Sequence, residues 1–440
     1  MEEQISLEQI KKFSEDYNSN KMNKIIENAI TKNGLENACI SRDIIIENQP
    51  VFNIELPESK RYDQKESGRC WIYAGLNLIK HDVAKNLNMN VMDLELSNNY
   101  IAFFDKLEKS NNVYENIINL NNVEFDYLYK ESVIKYCVSE GGYWNWFVAI
   151  VNKYGIIPYS YNPDAKESAD YEKLEYLYSE KVKKDIIELI DLKKKDIKIN
   201  ELREKKKQFL QENYDILCKI LGEPITEFNF EFKDKNGEYR RFEKLTPIEF
   251  KNQFVSFKLD DFITIGNLPM YNKEYYKVYR KKYVGNIYNN SYATYLNLPI
   301  EDLKELTIKQ LKDNIPVYMG AQVYKFRDKK SGILDTRLYN YDETFHLKRL
   351  TKEEALNLYD IDMHHAMTFT GVNIINEEPQ RWKIEDSYGD KERVNGYYIM
   401  NDNFFNEFVL SVVIDKKYLS QEQLELLKQA PIEFDVEDPF

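Results

Sequence analysis

The stretch Gln64-Lys65-Glu66-Ser67-Gly68-Arg69-Cys70-Trp71 decides how the rest of the chain is interpreted. A glycine-bearing loop leads into residues 70–85, where apolar side chains recur at helical spacing. Cys70 therefore stands in the first turn of a predicted helix, where the helix dipole and free backbone N–H groups favour a thiolate. Upstream, Gln64 offers a side-chain amide that could donate to an oxyanion beside the Cys70 N–H. The pattern suits a cysteine nucleophile, and a small buried thiol at a helix start is the alternative.

A cysteine nucleophile needs a base, and the chain has four histidines. His81 lies too far along the same predicted helix, and His346 sits in a polar run with no evident partner. His364 and His365 come before the apolar run 366–372, which predicts a buried strand. Adjacent residues on a strand point to opposite faces, so one of the two can reach a given site and the pair cannot share a metal. A histidine at the surface end of a strand is the other interpretation.

The base also needs a group that orients it. The stretch Trp382-Lys383-Ile384-Glu385-Asp386-Ser387-Tyr388-Gly389 brings Asp386 21 residues after His365, the distance at which a neighbouring strand returns. Asp386 could accept the imidazole N–H and fix its tautomer. An ordinary aspartate in a strand-to-turn sequence gives the same pattern.

Composition excludes several classes of protein. Of the 440 residues, 61 are Lys or Arg and 74 are Asp or Glu, a net charge of −13 that argues against nucleic acid as the main partner. No stretch approaches the ~20 apolar residues of a membrane span, and the N-terminus lacks the layout of a secretory signal. The cysteines are scattered without a Cys-x-x-Cys, which argues against a disulfide scaffold or a thiolate zinc site. We expect a cytoplasmic protein with no metal, no cofactor and no membrane partner.

The pattern of predicted elements indicates an α+β enzyme with two lobes, because the first half is helical and the last third is strand-like. Residues 170–220 are rich in Lys and Glu and predict a helical hairpin, which we interpret as an insertion. Alternation at 228–232 followed by Asn236-Gly237 predicts a β-hairpin. Extended segments are predicted at 42–46 and 51–56, and a strand at 317–325.

Three motifs together resemble the aminopeptidase C / bleomycin hydrolase family of papain-like cysteine peptidases, which includes a lactic-acid-bacterial endopeptidase branch. They are Gln-x-x-Ser-Gly-Arg-Cys-Trp at 64–71, His-Ala-Met with Gly-Val at 365–372, and Trp-Lys-x-Glu-x-Ser-x-Gly at 382–389. The resemblance runs nearly end to end. Further matches are Asn33-Gly34, Gly141-Gly142, 153–158, 295–300, Pro316-Val317 with Gly320, and 415–418.

The resemblance implies roles for individual residues. By position it assigns Cys70 as nucleophile, His365 as base and Gln64 as oxyanion donor. The third catalytic residue of the family is usually Asn and here is Asp386, and the usual Trp that follows is Tyr388. Substrate contacts are expected from the following residues: Gly141, Gly142, Trp71 and Phe440.

The resemblance also implies a papain-like two-lobed fold with a helical insertion and a homohexameric ring whose active sites face an inner chamber. The expected segments are an N-terminal arm 1–60, a helical catalytic lobe with the nucleophile 61–165, a helical and hairpin insertion 166–310, a β-rich catalytic lobe with His and Asp 311–428, and a C-terminal arm into the cleft 429–440. Relatives continue past the Asp-Pro at 438–439, whereas this chain stops at Phe440. A shorter arm would open the cleft, so we expect endopeptidase cleavage beside aminopeptidase cleavage.

The sequence therefore predicts an intracellular cysteine peptidase that hydrolyses peptides through a Cys-His-Asp thiolate mechanism. The alternative is a catalytically weak ring-shaped protein of the same fold that binds peptide or nucleic acid. For nucleic acid, the basic runs 193–195 and 203–207 are the candidates, although solvated helix faces often look like this.

Overall fold

The computed structural model describes residues 4–121, 124, 126, 128, 133–134, 137–281, 283–389 and 396–434. Within this part of the chain, helices predominate up to residue 221 and strands predominate from residue 228 onwards. The prediction of an α+β fold is confirmed. None of the described helices is both long enough and apolar enough to cross a bilayer.

The first half contains short N-terminal helices, a buried central group and a long pair joined by residues 195–198. The helices are α1 (Leu7–Ser19), α2 (Lys21–Asn33), α3 (Leu35–Cys39), α4 (Arg42–Glu47), α5 (Cys70–Asn86), α6 (Asn98–Asn119), α7 (Trp144–Tyr154), α8 (Glu172–Lys194) and α9 (Ile199–Leu221). The later helices are α10 (Pro247–Phe254), α11 (Ile300–Lys312), α12 (Tyr341–Phe345), α13 (Lys352–Asn357), α14 (Asp402–Phe408) and α15 (Gln421–Leu426).

The strands form one large mixed sheet and a separate hairpin. They are β1 (Ile54–Glu55), β2 (Phe228–Lys233), β3 (Tyr239–Leu245), β4 (Phe262–Gly266), β5 (Lys277–Lys281), β6 (Thr294–Asn297), β7 (Val317–Ala321), β8 (Arg327–Asp328), β9 (Ile333–Leu334), β10 (His365–Ile375), β11 (Glu378–Glu385), β12 (Tyr397–Asn401), β13 (Val409–Asp415) and β14 (Ile432–Phe434). In the described part of the sheet the order is β14-β5-β6-β4-β13-β7-β10-β11-β12-β9-β8, with β1 also on β10, and β2 pairs with β3 alone.

Helix α5 lies in the centre of the molecule, buried along most of its length. It is apolar on nearly every side, as expected of a helix surrounded by core, and it packs against β7 and β10. The hydroxyl of Thr368 on β10 donates to the carbonyl of Ala74 on α5 at 3.4 Å. This packing sets the first turn of α5 beside the start of β10, so that Cys70 and His365 meet.

Helices α8 and α9 confirm the helical hairpin predicted at 170–220. Their apolar side chains, such as Leu189 and Phe209, share a hydrophobic cluster with Ile117 of α6. The β-hairpin predicted from the alternation at 228–232 and the turn at Asn236-Gly237 is also present, as β2 and β3. The boundaries of the five expected segments stay a prediction.

Two local predictions are wrong. Residues 42–46, predicted as extended, form α4, because Ile44 and Ile45 pack beside Leu338 and Tyr339, and this tertiary contact overrides the strand preference of the isoleucines. The strand predicted at 317–325 ends at Ala321, because the N–H of Val323 bonds to the His364 ring instead of continuing the ladder.

Candidate active site

Cys70 is the first residue of α5 and lies half-buried on the wall of a cavity of about 400 Å³. Its backbone N–H belongs to the unpaired first turn of the helix, where a negative charge is stabilised. The cavity also borders Gly141, Gly142 and His365. The predicted nucleophile therefore opens onto a space large enough for part of a peptide.

The His365 ring makes a hydrogen bond to Asp386, with 2.8 Å between Nε2 and Oδ1. Both side chains are buried. They meet because β10 and β11 pair antiparallel, which brings the start of one strand beside the end of the other. Asp386 is held in turn by the N–H of Ser387 at 2.8 Å. With Nε2 bound to Asp386, Nδ1 is the nitrogen left for Cys70.

The electrostatics at His365 favour a charged imidazole. Burial alone would lower its pKa, but the Asp386 carboxylate and the neighbouring Cys70 side chain outweigh burial and raise the pKa to about 10. The Tyr388 ring lies nearly parallel to the imidazole, with 5.5 Å between centroids. It takes the place that the resemblance gives to a tryptophan. At neutral pH this arrangement favours a protonated imidazole next to Cys70.

His364 is held away from Cys70. Its ring stacks on Tyr324 with 4.1 Å between centroids, Nδ1 is 3.2 Å from Asp362, and Nε2 accepts from the N–H of Val323 at 3.4 Å. Burial lowers the pKa of His364, although Asp362 opposes this. Of the two adjacent histidines, His365 is therefore the one placed for proton transfer with the thiol.

The Gln64 side chain is fixed at both ends of its amide. Ser387 donates its hydroxyl to Oε1 at 2.5 Å, and Nε2 donates to the carbonyl of Ser67 at 2.5 Å. The backbone N–H of Gln64 also bonds to the Ser387 carbonyl at 2.6 Å. The second amide hydrogen has no partner among the described residues. This loop is therefore locked to the residue that follows Asp386.

Arg69 anchors the same loop from within the protein. Its buried guanidinium donates to the Ser67 hydroxyl at 3.1 Å and to Asn98 and the carbonyl of Ser168, and it is 3.3 Å from Asp164. Such a multiply bonded guanidinium fixes the backbone immediately before Cys70. The orientation of Cys70 thus depends on contacts from α6 and from residues 164–168.

The segment around Gly141 and Gly142 runs along the cavity and is held by Lys109. The Lys109 ammonium donates to the carbonyls of Ser139 and Gly141, each at 3.0 Å, and pairs with Asp105 at 2.8 Å. The N–H of Gly141 reaches the carbonyl of Gly68 at 3.1 Å. A backbone anchored in this way can pair with an extended peptide.

The Trp71 ring packs against the segment around Gly141 and Gly142. A Cβ at position 142 would lie 2.6 Å from the Trp71 ring, so glycine is required for the close approach. Trp71 is buried and does not line the cavity itself, but it packs against Gly142 and edge-to-face on Trp146, which do. Its predicted contact with substrate would therefore be indirect. Phe440, the other predicted contact, lies outside the described residues.

Two lysines on the cavity wall were not found from the sequence, whereas Phe434 belongs to the arm 429–440 that was expected in the cleft. Phe434 lies on the wall, with its ring against Tyr279 and Tyr295. Lys281 lines the same space, and Lys109 reaches it from α6. No local motif marks the two lysines, because tertiary packing alone brings them together. Among the described residues, no three His, Cys, Asp or Glu side chains gather as metal ligands would.

Comparison with known proteins gives matches over the full chain. Residues 4–440 match the model of the Peptidase C1-like family. Aminopeptidase C of Listeria monocytogenes serovar 1/2a is 34% identical over 440 residues, covering 100% of this chain and 99% of the relative. Aminopeptidase W of Lactobacillus delbrueckii subsp. lactis is 30% identical over 99% of both chains. The crystal structure of PepW from Lactobacillus rhamnosis HN001 is similar at a TM-score of 0.94 and 34% identity, covering 100% of this chain and 99% of that one.

Proposed function

The chain belongs to the Peptidase C1-like family and is a cysteine-type peptidase with a papain-like fold, and from this premise we propose that it is an aminopeptidase with Cys70 as nucleophile and His365 as base. The observation that carries the proposal is the short contact between His365 and the buried Asp386, combined with the raised pKa of His365. A charged imidazole beside a thiol is the arrangement that generates a thiolate at neutral pH.

The chemistry follows from these positions. The Cys70 sulfur attacks the peptide carbonyl carbon, and the electron pair of the C=O moves to oxygen. The N–H of Cys70 and the free amide hydrogen of Gln64 stabilise this oxyanion. His365 gives its proton to the leaving amine as the C–N bond breaks. His365 then takes a proton from water, and the water oxygen attacks the thioester carbonyl. The C–S bond breaks, which releases the acid and restores the pair of Cys70 thiolate and protonated His365.

Cleavage of the terminal residue requires recognition of the substrate amine, which needs a carboxylate. Among the described residues that line the cavity, Glu140 is the one carboxylate, and it is paired with Lys106. The chain continues from Phe434, on the cavity wall, into a sequence with Asp435, Glu437 and Asp438. We propose that an acidic group of residues 435–440 receives the amine. The relatives named aminopeptidase C and W support this specificity.

One experiment tests both the nucleophile and the specificity. We expect the wild type to hydrolyse a peptide with a free N-terminus at least roughly tenfold faster, in kcat/KM, than the same peptide acetylated, because a charge-assisted contact is lost. Cys70→Ser should abolish hydrolysis of both peptides. Comparable rates on the two peptides would contradict the aminopeptidase and favour the endopeptidase cleavage expected from the sequence. Turnover by Cys70→Ser would contradict the nucleophile.

The nucleic-acid alternative receives no support from the basic runs. Arg203 and Lys206 pair with Glu115, Lys205 pairs with Glu188, and Lys207 pairs with Glu204. Lys193 donates to the carbonyls at the end of α6: Ile117, Ile118 and Leu120. Because these side chains are paired within the protein, they do not form the concentrated positive potential that phosphate binding needs. We therefore propose no second function.

The homohexamer and the cytoplasmic location stay predictions. In support of an assembly, α1 and α2 bury none of their residues and expose large apolar side chains, among them Leu7, Ile10, Phe13 and Ile25. Exposed apolar stripes of this kind are expected where another chain binds. Light scattering that gives the mass of a monomer at micromolar concentration would contradict the hexamer.

A further inference from the structure

Strand β5 presents one of its faces to the cavity beside Cys70. Side chains alternate along a strand, so Tyr279 and Lys281 lie on the same face. The Tyr279 ring contacts Tyr295 and Phe434, with 5.6 Å and 6.4 Å between centroids, and both of these residues line the cavity. Lys281 lines the cavity as well. The Lys281 side chain therefore points into the space that the substrate enters.

Arg280, between these two residues, faces the other way. Its guanidinium pairs with Glu433 and lies over the Tyr292 ring. The two neighbouring cations of β5 are thus in different environments. Arg280 is neutralised on the outer face of the strand, whereas Lys281 points into the cavity.

The Lys281 ammonium has no ion pair and no hydrogen bond with any residue that the structure describes, although the residue is only 7% exposed. A cation on a cavity wall that no described side chain neutralises can attract an anionic ligand that enters the cavity. The other lysine on the cavity wall, Lys109, is fully engaged by Asp105 and two carbonyls. Lys281 is therefore the cation in the described wall that is available to a ligand.

We propose that Lys281 forms a subsite for a side-chain carboxylate of the peptide substrate. Within the described part of the wall the charge supports an anionic ligand, because Glu140, the carboxylate there, is already neutralised by Lys106. In the partly dehydrated cavity an ammonium–carboxylate contact is stronger than it would be in water. The subsite rests on the proposed peptidase function, and it adds a preference for Glu or Asp at one substrate position.

The test uses the full-length enzyme and C-terminally amidated peptides, so that the carboxylate comes from a side chain alone. Each position of one peptide carries Glu or Gln in turn, and kcat/KM is measured for each pair. We expect Glu to be preferred at one position by roughly tenfold. Lys281→Met should bring this ratio close to one, and Lys281→Glu should invert it. Lys281→Arg should keep the preference, and Arg280→Met, on the opposite face of the strand, should keep the wild-type ratio.

The outcomes distinguish a failure of the Lys281 subsite from a failure of the proposed peptidase function. Hydrolysis of the Gln peptides reports on the peptidase function, whereas the Glu-to-Gln ratio reports on Lys281. Covalent titration of Cys70 in each variant shows that the protein is folded. A wild type without a Glu preference at any position would overturn the subsite, and so would a preference that persists in a folded Lys281→Met enzyme.

Discussion

A carboxylate at position 386 gives His365 a charged partner, where an asparagine would give a neutral one. The contact is short and buried, and it raises the pKa of His365 to about 10 against the lowering effect of burial. In the proposed mechanism the active form of the pair has a protonated imidazole and a thiolate. We therefore expect activity to be lost on the alkaline side as His365 gives up its proton, at a pH that the residue at position 386 sets.

This leads to a prediction for Asp386→Asn. Removing the negative charge removes a stabilising partner of the imidazolium, so the pKa of His365 falls. The alkaline limb of kcat/KM should move to lower pH by about 1–3 units, as expected when an adjacent charge is neutralised. The measurement is a pH–rate profile of kcat/KM for the variant and the wild type. An alkaline limb that stays in place would show that Asp386 does not control the proton on His365.

At the scale of elements, a buried ion pair connects α5, the helix that begins with Cys70, to the strand that leads to Asp386. The ammonium of Lys80 on α5 lies 3.0 Å from Glu385 at the end of β11, and both side chains are almost fully buried. The hydroxyl of Ser59 donates to Glu385 at 2.7 Å, and Lys80 also donates to the carbonyl of Lys60 at 2.9 Å. Although burial alone would raise the pKa of Glu385, Lys80 and Arg61 hold it below its ordinary value.

Glu385→Gln should destabilise the protein strongly, because it leaves the Lys80 ammonium buried without its counter-ion. The expected loss in the free energy of unfolding is about 3–5 kcal/mol. The double variant Lys80→Met, Glu385→Gln removes both charges and should recover part of this loss. Denaturant unfolding of both variants measures the difference.

The exposed pair of Lys207 and Glu204 provides the control for this experiment. Lys207→Met should leave the denaturation midpoint close to that of the wild type, because water and salt screen an exposed pair. A double variant that is less stable than Glu385→Gln alone would contradict the account, since Lys80 would then stabilise the fold without Glu385.

At the scale of the whole molecule, the sequence predicts the residues whose neighbours along the chain carry a strong signal. Cys70 follows a glycine loop at a helix start, and His365 opens a continuous apolar strand. Asp386 lies one neighbouring strand away from His365, which is why simple pairing brings the two together. The positions of these residues can be predicted from local patterns because they depend on few long-range contacts.

The other features of the fold and of the site depend on tertiary packing, which cannot be inferred from local sequence patterns. Lys109 and Lys281 look like ordinary surface lysines in the sequence, and their burial at the cavity follows from how α6 and β5 meet it. The isoleucine-rich stretch 42–46 favours a strand locally, but it forms α4 against the cluster around Leu338. In each case tertiary contacts determine the burial or the secondary structure. The residues that make these contacts are hundreds of positions apart in the sequence or belong to different elements.

The central claim is that one cysteine in this chain is a reactive thiolate, and labelling with a thiol-directed epoxide at neutral pH tests it most directly. Burial raises the pKa of Cys137 to about 11 and also raises that of Cys218, so these two thiols should stay protonated and slow to react. Cys39 is buried, which keeps the reagent away from it. We predict one label per chain, located on Cys70 by peptide mapping, with peptidase activity lost in proportion. Labelling should be much slower in His365→Ala. Equal labelling of the other cysteines, or full labelling of Cys70 with activity retained, would contradict the account.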